Sequence, residues 1–175
     1  MGCLLYDFVV EDGTGLPTAT SYLGTFQADD FAEFWGYSDW SALPEDDKES
    51  LLIKASRILD EKFEWNSHIL KRDQGLLWPR HPFRDSEGRD VEGLPKDIVE
   101  ATAEIAILLQ HYSISDLDEV KYLTSQSYGS SSETYAGSWA EGISPLAAKF
   151  NQIAARLKRF RLGGKSIQTV RLRRG

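Results

Sequence analysis

The feature that most constrains this chain is an apolar stripe at helical spacing opened by Pro95. Ile98, Thr102, Ile105, Leu109 and Tyr112 recur on one face, widened by Val99 and Ala106. Proline suits the first position of a helix, where its missing N–H costs nothing, and a stripe this apolar needs partners on more than one side. The spacing therefore predicts a central helix reaching about Tyr112, and the rest of the chain must supply elements to pack on it.

Two further stripes supply them. Ser41-Ala42-Leu43-Pro44-Glu45-Asp46-Asp47 reads as a helix start, with a capping serine, a proline and acids in the first turn. The helix is expected to run to about Phe63, burying Leu51, Ala55, Ile58, Leu59 and Phe63 and leaving Lys48, Glu49, Lys54, Arg57 and Lys62 outside. Another opens at Ser144-Pro145 and runs to about Phe160, with Leu146, Phe150, Ile153, Leu157 and Phe160 inward; Gly163-Gly164 ends it. A shorter helix, capped by Thr25, is expected over Phe26 to Trp35 with Ala28, Phe31, Phe34 and Trp35 buried.

The expected fold is mainly α, a small bundle of about four helices. Residues 1–24 read as an extended leader, and residues 25–112 as the helical core. Residues 64–93 form a long connection in that core, rich enough in Trp65, Leu76, Leu77, Trp78 and Phe83 to pack across the bundle. Residues 113–142 read either as a hairpin of two strands, 120–125 and 132–136, or as an extended arm. The C-terminal helix occupies 143–162, and residues 163–175 form a basic tail whose stretch 166–173 alternates like a strand.

Charge divides the chain. All 27 acids lie at or before Glu141 with 11 of the 20 Lys and Arg, so the first 141 residues carry −16. Residues 142–175 carry nine bases and no acid, a net of +9. The two halves are expected to meet different partners. Clustered bases can contact phosphates, dock on an acidic protein by strand addition, or simply face solvent.

The residues offer little chemistry. His68, His81 and His111 match no metal or catalytic spacing, and Gly164-Lys165-Ser166 lacks the upstream glycine and strand of a phosphate-binding loop. Cys3 stands alone, which excludes an internal disulfide and a cysteine metal site, and the carboxylates fall on polar helix faces. No cofactor, no metal and no enzymatic activity are expected. No stretch is apolar and long enough for a membrane span, and the N-terminus lacks the flank of a signal peptide. Phe26, Phe31, Phe34, Trp35, Tyr37 and Trp40 stand among Asp29, Asp30, Glu33 and Asp39 with no Lys or Arg, which favours core packing or a protein interface over base stacking.

Several motifs together resemble a family of tailed-bacteriophage head–tail connectors (adaptor or head-completion proteins). They are Thr20-Ser21-Tyr22 before Ala28-Asp29 and Trp40, the run from Leu51 to Asp60 followed by Trp65, and Gln74-Gly75-Leu76-Leu77-Trp78-Pro79-Arg80. Leu94-Pro95 and the run Val99 to Ala106 complete the likeness, which covers about residues 18–112. Asn66 stands where the family often has glycine, and His81 where a small polar residue is common. Members of the family also carry the label DnaT-like single-stranded-DNA-binding protein.

The resemblance implies a structural adaptor in a homo-oligomeric ring, commonly of twelve copies. Its partners would be the portal protein, a distal neck or tail protein, and genomic DNA sliding through the channel unbound. Its place would be the neck of the virion, after assembly in the host cytoplasm. Trp65, Gln74, Trp78, Pro79 and Arg80 are then the structural signature, with Trp78 buried between the second and third of the expected helices and Arg80 paired to an acid. Arg156, Arg159, Arg161, Lys165, Arg171, Arg173 and Arg174 are the expected portal-docking residues. The alternative is a replication-associated single-stranded-DNA-binding protein.

Overall fold

The stripe opened by Pro95 lies at the centre of the fold. In the computed structural model, which describes residues 7–84, 88–113 and 145–160, the elements are α1 (Thr25–Trp35), α2 (Ser38–Ser41), α3 (Glu45–Lys62), β1 (His68–Ile69), β2 (Arg80–His81), α4 (Lys96–Leu109) and α5 (Pro145–Arg156). A 3-10 turn over Leu157–Phe160 closes the last helix. The architecture is mainly α. Among the described residues, paired strand is limited to the two-residue antiparallel β1–β2 ladder and two isolated bridges, Val10–Ser21 and Arg84–Asp90.

Pro95 caps α4, and α3, α5 and α1 all pack on it. Neighbours on several sides bury Ile98, Ala101, Thr102, Ala103, Ile105, Ala106, Ile107 and Leu108, more than one stripe can hold. Leu109 and Tyr112, expected at the end of the stripe, are only partly covered. The buried Thr102 hydroxyl donates to the Ile98 carbonyl at 2.9 Å, so the one polar group on this face is satisfied.

Helix α3 starts at Glu45, with Glu45, Asp46 and Asp47 at its positive end and Lys62 in its last turn. Its N-cap is Pro44. The expected cap Ser41 belongs instead to α2, where its hydroxyl donates to the Ser38 carbonyl at 2.7 Å. Ala55, Ile58 and Leu59 are buried as expected, joined by Leu52 and Ser56, while Leu51 is only partly covered. Lys48, expected outside, is 6% exposed because Asp29 from α1 meets its ammonium at 2.9 Å.

Helix α5 and its 3-10 turn bury all five expected residues, Leu146, Phe150, Ile153, Leu157 and Phe160. Helix α1 departs most from expectation. Its small side chains Ala28 and Ala32 make the contact with the body, while Phe34 and Trp35 are 80% and 60% exposed. Close approach of the α1 backbone puts the alanine face inside, and the bulky residues follow the opposite face outward. Its N-cap is Gly24, whose N–H is met by the Gln27 side chain at 3.2 Å, and Thr25 is the first helical residue.

The segment expected as an extended leader folds back on itself from residue 8 onward. The buried Glu11 carboxylate accepts the backbone N–H groups of Gly13, Gly15 and Leu16 at 2.8–2.9 Å, and Ala19, Tyr22 and Leu23 enter the core. The expected hairpin or arm at 113–142 falls, beyond Ser113, outside the described residues, as does the whole of the tail at 163–175.

Candidate interaction surfaces

The long connection is built around Trp78, which is fully buried. Trp65, Phe83 and Phe160 meet its ring edge-on at centroid distances of 5.8, 5.4 and 5.6 Å. Two side chains of the same segment hold its backbone in place. Gln74 donates through Nε2 to the carbonyls of Leu76 (2.7 Å) and Pro79 (3.1 Å), and its Oε1 accepts from Lys71 N at 2.8 Å. Arg80 donates to three carbonyls, Asn66 (2.7 Å), Leu77 (3.1 Å) and Ser67 (2.5 Å). The expected acid partner of Arg80 is thus replaced by main-chain oxygens, since the segment curls around the guanidinium. The Asp60 carboxylate acts on it through space.

Asp60 ties this segment to the rest. Its Oδ1 accepts from the Tyr22 hydroxyl and its Oδ2 from Leu77 N at 2.9 Å, while Trp78 N donates to Tyr22 Oη at 3.1 Å. Burial pushes the Asp60 carboxyl up to about 6 against the opposing pull of these donors, and burial with the neighbouring Asp60 charge pushes the Tyr22 phenol well above its ordinary range. Sequence patterning missed this node because its members stand 38 and 17 residues apart.

At least six of the fourteen Lys and Arg among the described residues pair with acids of the same body. Lys48 pairs with Asp29, Arg57 with Glu61, Arg84 with Asp90 and Lys96 with Glu100. Two residues expected to dock a partner also face acids of α4. Arg156 pairs with Glu104 at 2.8 Å, and Arg159 pairs with Asp97 while resting its guanidinium 4.8 Å from the Phe160 ring centre. Arg161, Lys165, Arg171, Arg173 and Arg174 lie outside the described residues. Among the described residues no cluster of His, Cys, Asp and Glu could hold a metal ion, and no helix is long and apolar enough to cross a membrane. A cleft of about 130 Å³ beside Tyr37, Trp40 and Gln110 is well below the ~300–1,000 Å³ of small-molecule sites.

Two surface patches remain. The aromatic group of the sequence splits by depth: Trp40 is buried with its indole N–H on Asp29 at 2.8 Å, and Phe31 stacks on Tyr37 half-buried. Phe26, Phe34 and Trp35 stand outside, the last two in edge contact at 5.4 Å, beside the exposed Asp30 and Glu33. Lys149 of α5 reaches the inner ring Tyr37 at 6.0 Å, but α1 itself holds no base. The second patch is the tip of the long connection, where Ile69, Leu70 and Leu77 are exposed with Lys71 and Arg72 between them.

A family model described as "putative DnaT-like ssDNA binding protein" matches residues 6–175. Neither a curated protein nor a solved structure matches the chain.

Proposed function

The chain belongs to this DnaT-like family, and from that premise we propose that it is a structural adaptor (head-completion) protein of a tailed bacteriophage. It forms a ring beneath the portal, extends the DNA channel and connects head to tail, with its basic C-terminal residues docking on the portal. The observation that carries this reading is the charge arrangement of the body. Single-stranded-DNA binders need a continuous positive groove with exposed aromatics in it. Here Lys48, Arg57, Arg84, Lys96, Arg156 and Arg159 are each paired with an acid of the same body, and the exposed aromatics lie among Asp30 and Glu33.

An acidic wall suits a channel that must let a duplex slide, because attraction to phosphates would hold it. Signature side chains such as Gln74 and Arg80 spend their hydrogen bonds on the loop's own carbonyls, so they serve architecture.

A second reading, a replication-associated single-stranded-DNA-binding protein, is favoured by the family description and by the +9 of residues 142–175. A titration with labelled single-stranded DNA at several salt concentrations separates the two. The adaptor reading expects weak binding that vanishes at physiological salt. Submicromolar binding there, lost on deleting residues 156–175, would overturn it in favour of the second reading.

A further inference from the structure

Among the described residues, the large exposed hydrophobics are Phe26, Phe34, Trp35, Ile69, Leu70 and Leu77. They fall into two groups of opposite character. Phe26, Asp30 and Phe34 recur at i, i+4 and i+8 on the outer face of α1, with Glu33 and Trp35 beside them. Ile69, Leu70 and Leu77 flank Lys71 and Arg72 along the chain at the tip of the long connection; Asp73 follows them, the Lys71 charge acts on Asp12, and the Leu77 N–H rests on Asp60. One patch is aromatic and holds acids but no base; the other is aliphatic and carries the exposed bases Lys71 and Arg72.

The patches also lie toward opposite ends of α3. Asp29 fastens α1 to Lys48 in the first turns of α3, and α1 continues past that point to Phe34 and Trp35. The loop tip is fastened by the Leu77 N–H to Asp60, near the last turn. Lys48 and Asp60 are twelve residues apart, which is about 18 Å along a helix. A second copy that laid its own α1 on this α1 would set Asp30 and Glu33 against themselves. A copy that presents its loop tip brings apolar to apolar and base to acid.

We propose that the outer face of α1 in one copy receives the loop tip of the next, Phe34 and Trp35 meeting Leu70 and Leu77, and Asp30 and Glu33 meeting Lys71 and Arg72. Such a contact is heterologous: each copy keeps one free patch of each kind, and repetition closes a ring when the rotation allows it. The inference rests on the ring of the adaptor reading and gives it an interface, yet the contact itself can be tested without the portal.

The test uses the full chain with Cys3→Ser, which removes the single native cysteine. Phe34→Cys and Leu70→Cys are introduced separately, one on a size-tagged copy, and together. Under mild oxidation the mixed single variants give a disulfide-linked heterodimer, and the double variant gives a ladder of multimers. Asp30→Lys with Glu33→Lys abolishes the cross-link, and Lys71→Glu with Arg72→Glu on the other copy restores it. Self-cross-linking of Phe34→Cys as efficient as the mixture, or no cross-link at the highest soluble concentration, overturns the proposal.

Imaging with the portal separates this proposal from the adaptor reading. Cross-links without a ring on the portal would refute the adaptor and leave the interface standing. A portal-bound ring assembled from the Asp30→Lys, Glu33→Lys protein alone would refute the interface and leave the adaptor.

Discussion

The Tyr22 hydroxyl donates a 2.5 Å hydrogen bond to Asp60 Oδ1, joining the N-terminal loop to the end of α3. Tyr22 Oη in turn accepts the Trp78 N–H at 3.1 Å, so one phenol holds the helix and the buried tryptophan segment together. Replacing Tyr22 by Phe removes the acceptor of a buried N–H and a donor to a buried carboxylate. The expected cost is about 1–3 kcal/mol, read as a lower urea midpoint with an unchanged slope.

Asp60 gives stability a pH dependence of definite sign. Its carboxyl titrates at about 6 in the folded protein, above the ordinary 3.8, because burial outweighs its hydrogen bonds. The native state therefore holds the proton more tightly than the unfolded chain. Its contribution is fully present below about pH 4 and is lost as pH rises through about 6. Over that window it falls by roughly 2–3 kcal/mol. Urea midpoints measured from pH 4 to pH 7.5 should show this decline in the native protein, and a flatter profile in Asp60→Asn.

Gly75 lies in the tightest part of the signature segment. A Cβ there would stand 2.5 Å from the Ala19 carbonyl oxygen and 3.0 Å from that of Pro17, both backbone atoms that cannot step aside. Gly75→Ala should destabilise by about 1–3 kcal/mol, the usual cost of overpacking. Gly88→Ala, where no atom lies within 4 Å but φ is +79°, should cost about 1 kcal/mol for its backbone alone. Thermal melts of the two variants compare the effects directly.

Asp29 serves two buried donors, the Lys48 ammonium and the Trp40 indole N–H. Asp29→Ala strands both and is expected to cost about 1–3 kcal/mol, less than a fully buried pair because Asp29 is partly solvated. Lys48→Met removes the cation and keeps an apolar stem in the same space, so its loss should be smaller. A chemical-denaturation comparison of the two variants reads the difference.

Truncation after Phe160 tests the basic C-terminal residues. Phe160 is the last buried side chain of the described core, stacked on Phe83 at 5.2 Å. The truncated protein should keep its helical circular dichroism and its melting temperature within a few degrees while losing attachment to the portal in co-sedimentation. Retained attachment would remove the docking role from residues 161–175.

The parts of this fold that were legible in the sequence are those where burial repeats along one element. The stripes of α4 and α5 are long, and most of their hydrophobic residues are buried where the period directs, with Leu109 and Tyr112 at the end of the α4 stripe only partly covered. Helix α1 escaped that logic because Ala28 and Ala32 make the contact, and hydrophobic rank pointed to Phe34 and Trp35 instead. Lys48 is buried on a face whose pattern puts it outside, because its partner Asp29 comes from another helix. Burial of Trp78 could be foreseen from its residue type; the Tyr22–Asp60 bond and the carbonyl clamp of Arg80 could not, since both arise from chain crossings with no local period. The loop-tip patch is not legible in the sequence for the same reason, its apolar and basic residues carrying no rhythm.

Negative-stain imaging of the protein mixed with its portal tests the central claim most directly. The adaptor reading predicts a ring-shaped layer added at the narrow end of the portal. Bare portals at saturating protein, together with submicromolar single-stranded-DNA binding at physiological salt, would contradict it.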